Sequence, residues 1–169
     1  MATTNVPNTP QHGSTNTWEQ ARHDPAYAAF WLLRIGFVIL PLWMGIDKFT
    51  KTLQPDWPGA IAPWIADIAQ DLGLTTQTVM YIIGVIEIVA AILVAIKPRY
   101  AGYVVAAWLA CIIINLVTYT WGAAAGTVAP GYDIALRDFG LLVAAVALAW
   151  LGAVYDRGGS STHAGQPQA

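Results

Sequence analysis

Apolar residues fill four long stretches of this chain, from about Tyr27 to Ile46, Thr78 to Ile96, Tyr100 to Trp121 and Ile134 to Tyr155. Each approaches the ~20 residues that a ~30 Å hydrocarbon core requires of a spanning helix. The pattern predicts an all-α integral membrane four-helix bundle over residues 26–156. The link Lys97-Pro98-Arg99 makes the second and third helices antiparallel neighbours. The link from Gly122 to Asp133 carries the breakers Gly126, Pro130 and Gly131. The first link is too long for a simple turn. Within it Ile61, Trp64, Ile65, Ile68 and Leu72 recur at helical spacing, with Asp67, Gln70 and Asp71 between them and Pro58 and Pro63 near the start. That spacing predicts an amphipathic interfacial helix between helices one and two. Residues 1–25, rich in Thr, Asn, Pro and Gln, and residues 157–169, with Gly158, Gly159, Ser160 and Ser161, read as flexible polar tails. A short surface turn is expected at Thr17 to His23.

Composition agrees with the pattern. Of 169 residues, 56% are hydrophobic and 11% charged, where a soluble domain carries about 25% charged residues. A net charge of −2 without a basic run predicts no nucleic-acid partner. A lone cysteine, Cys111, makes neither an internal disulfide nor a thiolate metal cage, and reads as a small apolar residue. The first 26 residues lack a signal-peptide apolar region, so no cleavage is expected, and no lipidation motif is present.

Orientation follows from basic residues near helix ends. Four spans place both tails and the Lys97–Arg99 turn on one side. That side carries Arg22, Lys97, Arg99 and Arg157, against Lys48, Lys51 and Arg137 on the other. Both termini are expected in the cytoplasm. Two aromatic belts fit these spans: Tyr27, Trp31, Tyr100, Tyr103, Trp150 and Tyr155 at one interface, and Trp43, Phe49, Trp57, Trp64, Tyr119, Trp121 and Tyr132 at the other.

Polar groups at membrane depth are the informative residues, because each costs about 2.5–3.5 kcal/mol on insertion scales. Each helix carries one: Arg34, Glu87, Asn115 and Asp138. At ~1.5 Å per residue, Arg34 lies ~18 Å and Glu87 ~13 Å from the outer end, with Asn115 and Asp138 only ~6–9 Å in. They form a candidate buried polar pocket, with Asp47, Lys48, Arg137 and Tyr119 at its mouth. Such a pocket would hold a small ligand, a quinone head group or a proton path. Two readings stand beside it. In one, Arg34 and Glu87 pair to fix helix register while Asp138 pairs with Arg137. In the other, these groups snorkel outward. The histidines, His12, His23 and His163, lie in or beside the tails, which excludes bis-His haem ligation within the bundle. No ligand spacing suggests zinc or another metal, and neither a nucleotide-binding glycine loop nor a nucleophile beside a base is present. Pro41 is expected to kink helix one. Gly102 and Ala106, and Gly140 and Ala144, have the small-xxx-small spacing of close helix packing.

These motifs resemble a known family. The first helix reads LLRIGFVILPLWMGIDKF, with Arg34, Gly45, Lys48 and Phe49; the second reads GVIEIVAAILVAI, with Gly84 and Glu87; the last opens ALRDFGLL, with Arg137 and Asp138. In this order, over about residues 28–155, the chain resembles the DoxX-like membrane proteins, including inner-membrane relatives in bacterial reactive-chlorine resistance. The resemblance implies a four-helix bundle in the inner (plasma) membrane, accessory to a redox or oxidative-stress system. Quinone is the implied cofactor, and a protein partner or a homo-oligomer the implied assembly. A structural or assembly subunit of a larger membrane complex is the alternative, and a small-solute transporter the third.

Overall fold

A computed structural model of the chain describes residues 17–121 and 131–156. The element order is α1 (Thr17–His23), α2 (Pro25–Thr50), a single 3-10 turn (Pro58–Ala60), α3 (Pro63–Asp71), α4 (Thr76–Ile96), α5 (Pro98–Trp121) and α6 (Gly131–Tyr155). Among the described residues there is no strand. The helix α1 forms where a surface turn was expected, inside the stretch read as an N-terminal tail. Residues 1–16, the breakers Gly126 and Pro130, Arg157 and the expected C-terminal tail lie outside the described residues.

Helix boundaries follow from local chemistry. Asp24 caps α2: its Oδ1 accepts from the amides of Ala26 (3.0 Å) and Tyr27 (3.2 Å), and Pro25 takes the first helical position, where no donor is needed. Thr75 caps α4 through Thr78 N (3.1 Å), and Pro98 opens α5 straight after Lys97. The helix α2 runs through Pro41 without a break and ends at Lys51, whose left-handed backbone (φ 54°) returns its amide to Asp47 O at 2.6 Å.

The helices α2, α4, α5 and α6 are each long and apolar enough to cross a membrane. Their outer surfaces are apolar too. Leu32, Ile39, Val89, Val104, Leu136 and Trp150 are exposed, a coat that suits lipid and not water. The interior is built from Phe30, Phe37, Val94, Val105, Leu109 and Leu148.

Packing is by pairs. The helix α2 lies along α4 and α5 along α6, with sparser contact between the pairs. Small residues set both crossings. A Cβ at Gly45 would come within 2.7 Å of Gly84 O, and one at Gly84 within 2.9 Å of Gly45 O. In the other pair, a Cβ at Gly102 would meet Ala145 O at 2.7 Å, and one at Gly152 would meet Arg99 N at 2.8 Å. Gly102 therefore serves the contact as its spacing predicts, and Ala106 is buried in the core. Gly140 does not serve it, having nothing within 4 Å of its would-be Cβ. The contacting residues of α6 are Ala145, Ala149 and Gly152, a different stripe of the same helix.

The end of the bundle that carries Pro25, Ile96 and Tyr155 is here termed the terminal end; the opposite one, the loop end. At the terminal end Tyr27, Phe30, Trp31 and Tyr155 pack ring against ring. The Tyr155 hydroxyl donates to Asp24 Oδ2 at 2.8 Å, joining the start of α2 to the end of α6. That bond, with the amides of Tyr27 and Ala26, holds the Asp24 carboxyl below its ordinary value.

Two outcomes follow. Gly84→Val is expected to cost about 1–3 kcal/mol in detergent unfolding through overpacking, whereas Gly140→Val should be near neutral. Because folding lowers the Asp24 pKa, its contribution is full above the ordinary value of 3.8 and lost as pH falls through the lower folded value. The difference in melting temperature between the native chain and Tyr155→Phe should therefore shrink in acid. A difference that persists there would remove Asp24 as its source.

Candidate functional site

The Gly45–Gly84 crossing brings together the two charges that follow one helical turn later. Side chains on a helix lean toward its N-terminus. Lys48 on α2 therefore leans from the loop end into the bundle. Glu87, on the antiparallel α4, leans from the bundle toward the loop end. They meet with Lys48 Nζ 2.6 Å from Glu87 Oε2, at 3% and 6% exposure. Without side chains at positions 45 and 84 the backbones come close enough for this bond: Glu87 Cβ lies 3.2 Å from the Cβ position of Gly45.

A loop closes over the pair. The Trp57 ring stands 4.2 Å from Lys48 Nζ in a cation–π contact, and its indole N–H donates to Asp47 Oδ2 at 2.9 Å. Asp47, 2% exposed, also accepts from the amides of Thr52 (2.9 Å), Leu53 (2.7 Å) and Gln54 (3.2 Å). One carboxylate thus winds residues 52–57 back across the end of α2. Phe49 stacks on Tyr81 beside it, ring centroids 5.1 Å apart, and Lys51 Nζ donates to Gln77 Oε1 at 2.8 Å. The Trp108 indole of α5 faces the Glu87 carboxylate without closing a hydrogen bond to it.

The residues expected to share one pocket occupy separate environments. Arg34 does not reach Glu87. Its side chain leans toward the N-terminus of α2 and hence away from Glu87; Nη2 donates to Ala95 O, with the guanidinium against the rings of Trp31 (4.9 Å) and Phe30 (5.8 Å). Asn115 is a bracket for the first link. Its Oδ1 accepts from Ala62 N (2.9 Å) and its Nδ2 donates to Ala60 O (3.1 Å). Ile61 and Ala62 are buried and extended where the 3-10 turn hands over to α3, and the amide side chain supplies partners for the Ala62 N–H and the Ala60 carbonyl at that junction. Trp64 Nε1 adds a bond to Thr118 Oγ1 at 2.9 Å. Asp138 is half-buried on α6 and has no hydrogen-bonding or ionic partner among the described residues. Arg137 pairs instead with Asp133 one turn back, at 3.3 Å and well exposed, because the (i, i+4) spacing aligns them and adjacent helix positions diverge. Tyr119 is half-buried on α5. Asp47 and Lys48, read as the mouth of the pocket, are among the most buried polar residues of those described.

The Lys48–Glu87 pair and the Asp47 carboxylate are closed off from outside, while Trp108 Nε1 and Gln77 Nε2 are buried beside them without a hydrogen-bond partner. Among the described residues no group of three His, Cys, Asp or Glu side chains is placed to hold a metal. Two apolar grooves face outward instead. One, of about 270 Å³, lies between α2 and α4 beside Arg34. The other, of about 360 Å³, lies between α4 and α5 and includes Trp108 and Cys111. Sequence reasoning missed the partner of Glu87 and the part played by Trp57. The shared Gly-x-x-charge spacing of α2 and α4 was the available signal for the first; Trp57 left none. No family model, curated protein or solved structure matches this chain significantly.

Breaking the pair should be costlier than removing it. Glu87→Ala strands a buried ammonium, which costs about 3–5 kcal/mol. The double substitution Lys48→Met with Glu87→Met should recover much of that loss. Reversible unfolding in detergent, run as a double-mutant cycle, measures the difference; additive losses would mean the two side chains do not interact.

Proposed function

We propose that this chain is a DoxX-like integral membrane protein acting as an accessory subunit of a redox or oxidative-stress system, in contact with quinone. One observation carries the reading. Five of the six resemblance residues of the first two long helices, Gly45, Lys48, Phe49, Gly84 and Glu87, are scattered in sequence and gather at a single contact, while Arg34 stands apart on Ala95. A shared motif that folds into one structural unit supports shared architecture. The accessory role is supported by the state of the charges: Lys48 and Glu87 satisfy each other and are covered by Trp57, leaving no free acid, base or nucleophile there.

Quinone fits the α4/α5 groove. Its wall includes Val85, Val89, Leu93, Val104 and Trp108, and the Trp108 indole N–H is buried without an acceptor. That N–H faces the Glu87 carboxylate without closing a hydrogen bond to it, and a quinone carbonyl in the groove would compete for the donor. Bound there, quinone would carry two electrons and two protons for a partner oxidoreductase, while this chain binds and orients the ring.

The same reading places α3 in the membrane interface, with its exposed Trp64, Ile68 and Leu72 against lipid. It places both termini in the cytoplasm, where Arg22, Lys97 and Arg99 cluster. The alternative, an assembly subunit without a ligand, is favoured by the closure of the polar network.

Titration of the purified protein with a short-chain ubiquinone, followed by tryptophan quenching, separates the two. Saturable binding that weakens about 2- to 10-fold in Trp108→Phe, the worth of one hydrogen bond, supports the quinone role. No saturable binding, with release from native membranes only as part of a large complex, supports assembly.

A further inference from the structure

Arg34 is a cation on a membrane-spanning helix without a counter-ion. The ion pairs among the described residues are Lys48–Glu87 and Arg137–Asp133, and neither includes it. A guanidinium has five N–H donors, and Arg34 has one acceptor, Ala95 O. Beside it the Trp31 indole N–H is buried without any acceptor. Donors thus outnumber acceptors in this corner.

Position suggests what makes up the deficit. Ala95 stands two residues before Lys97, so its carbonyl lies ~3 Å from the end of α4 along the axis. The guanidinium is held at the rim of the bundle, at the end where Lys97, Arg99 and Arg22 also lie. The acids of that end are Glu19, Asp24 and Asp156. Asp24 is already engaged by Tyr155 and two amides, and Glu19 and Asp156 have no bond to Arg34. From the guanidinium an apolar groove of about 270 Å³ runs along Ile35, Val38 and Ile39 toward the middle of the bundle, open to the outside. A charged head at the rim and an apolar trough running inward are the two halves of a phospholipid.

We propose that the α2/α4 groove is a binding site for an anionic phospholipid, with the lipid phosphate on Arg34 and an acyl chain along Ile35, Val38 and Ile39. Phosphate oxygens match the fork of a guanidinium, and basic pockets between spanning helices near the membrane surface bind anionic head groups. Trp31 and Phe30 brace the guanidinium by cation–π contact, fixing it toward the groove mouth. The site rests on the membrane reading of the chain and is independent of the quinone contact, which lies in a different groove.

The test is native mass spectrometry of the full-length protein in a mild detergent, with added phosphatidylglycerol or phosphatidylcholine of identical acyl chains. The native chain should retain phosphatidylglycerol in preference to phosphatidylcholine. Arg34→Gln should cut that preference by about fivefold, the factor contributed by one basic residue near a membrane surface, and Arg34→Lys should restore part of it. Ile35→Trp, which fills the groove from the outside and keeps the cation, should weaken both lipids, and it stands in if Arg34→Gln fails to fold. Equal retention of the two lipids by the native chain overturns the proposal. So does an undiminished preference in Arg34→Gln, or unchanged binding in Ile35→Trp.

Discussion

Hydrocarbon offers no hydrogen bonds, so each polar atom carried into it must be matched by the chain itself. The two-helix crossing at Gly45 and Gly84 is where this chain meets that demand most fully. Two glycines let the backbones approach, and the approach lets an ammonium and a carboxylate from opposite directions share one bond. Everything at the loop end is arranged around it. Trp57 covers the ammonium, Asp47 holds Trp57 and three loop amides, and Asn115 holds the next stretch of backbone against α5. A buried pair of this kind is a weak source of net stability and a strong source of geometry. It fixes the register of α2 against α4, because a slip of one turn would strand both charges.

The spans were legible in the sequence to within a few residues, because a bilayer imposes a length and a composition that few other environments do. The polar site was legible in part. Arg34, Glu87, Asn115 and Asp138 stood out as expensive residues at depth, with Asp47 and Lys48 placed at the mouth of a pocket, but their true grouping was not legible. Ranking them by depth placed Arg34 near Glu87, since depth along an axis is a property of Cα. The direction of the Cα–Cβ bond decides where a long side chain ends, and it sends Arg34 to one end of the bundle and Lys48 to the middle. Asn115 was misjudged for a different reason. Its partners are the backbone of Ala60 and Ala62, and backbone partners in a long link leave no residue type to notice.

The two ends of the bundle contrast. At the loop end Lys48, Glu87, Asp47 and Lys51 are consumed in pairs and caps, and Asp138 is left without a partner among the described residues. At the terminal end the surplus is positive and aromatic, with Arg34 wedged between Trp31, Phe30 and the last turn of α4. The first arrangement suits a scaffold that must hold its shape, and the second suits a surface that takes its missing partner from the membrane.

The separation of Lys48 and Glu87 along the chain also bears on how the protein is made. Thirty-nine positions divide them, which at about 5–20 residues per second is roughly 2–8 s of synthesis. For that interval α2 exists with its lysine and without the carboxylate that answers it. The first helix is therefore complete in length before it is complete in charge. Its lysine gains a buried partner only when α4 arrives.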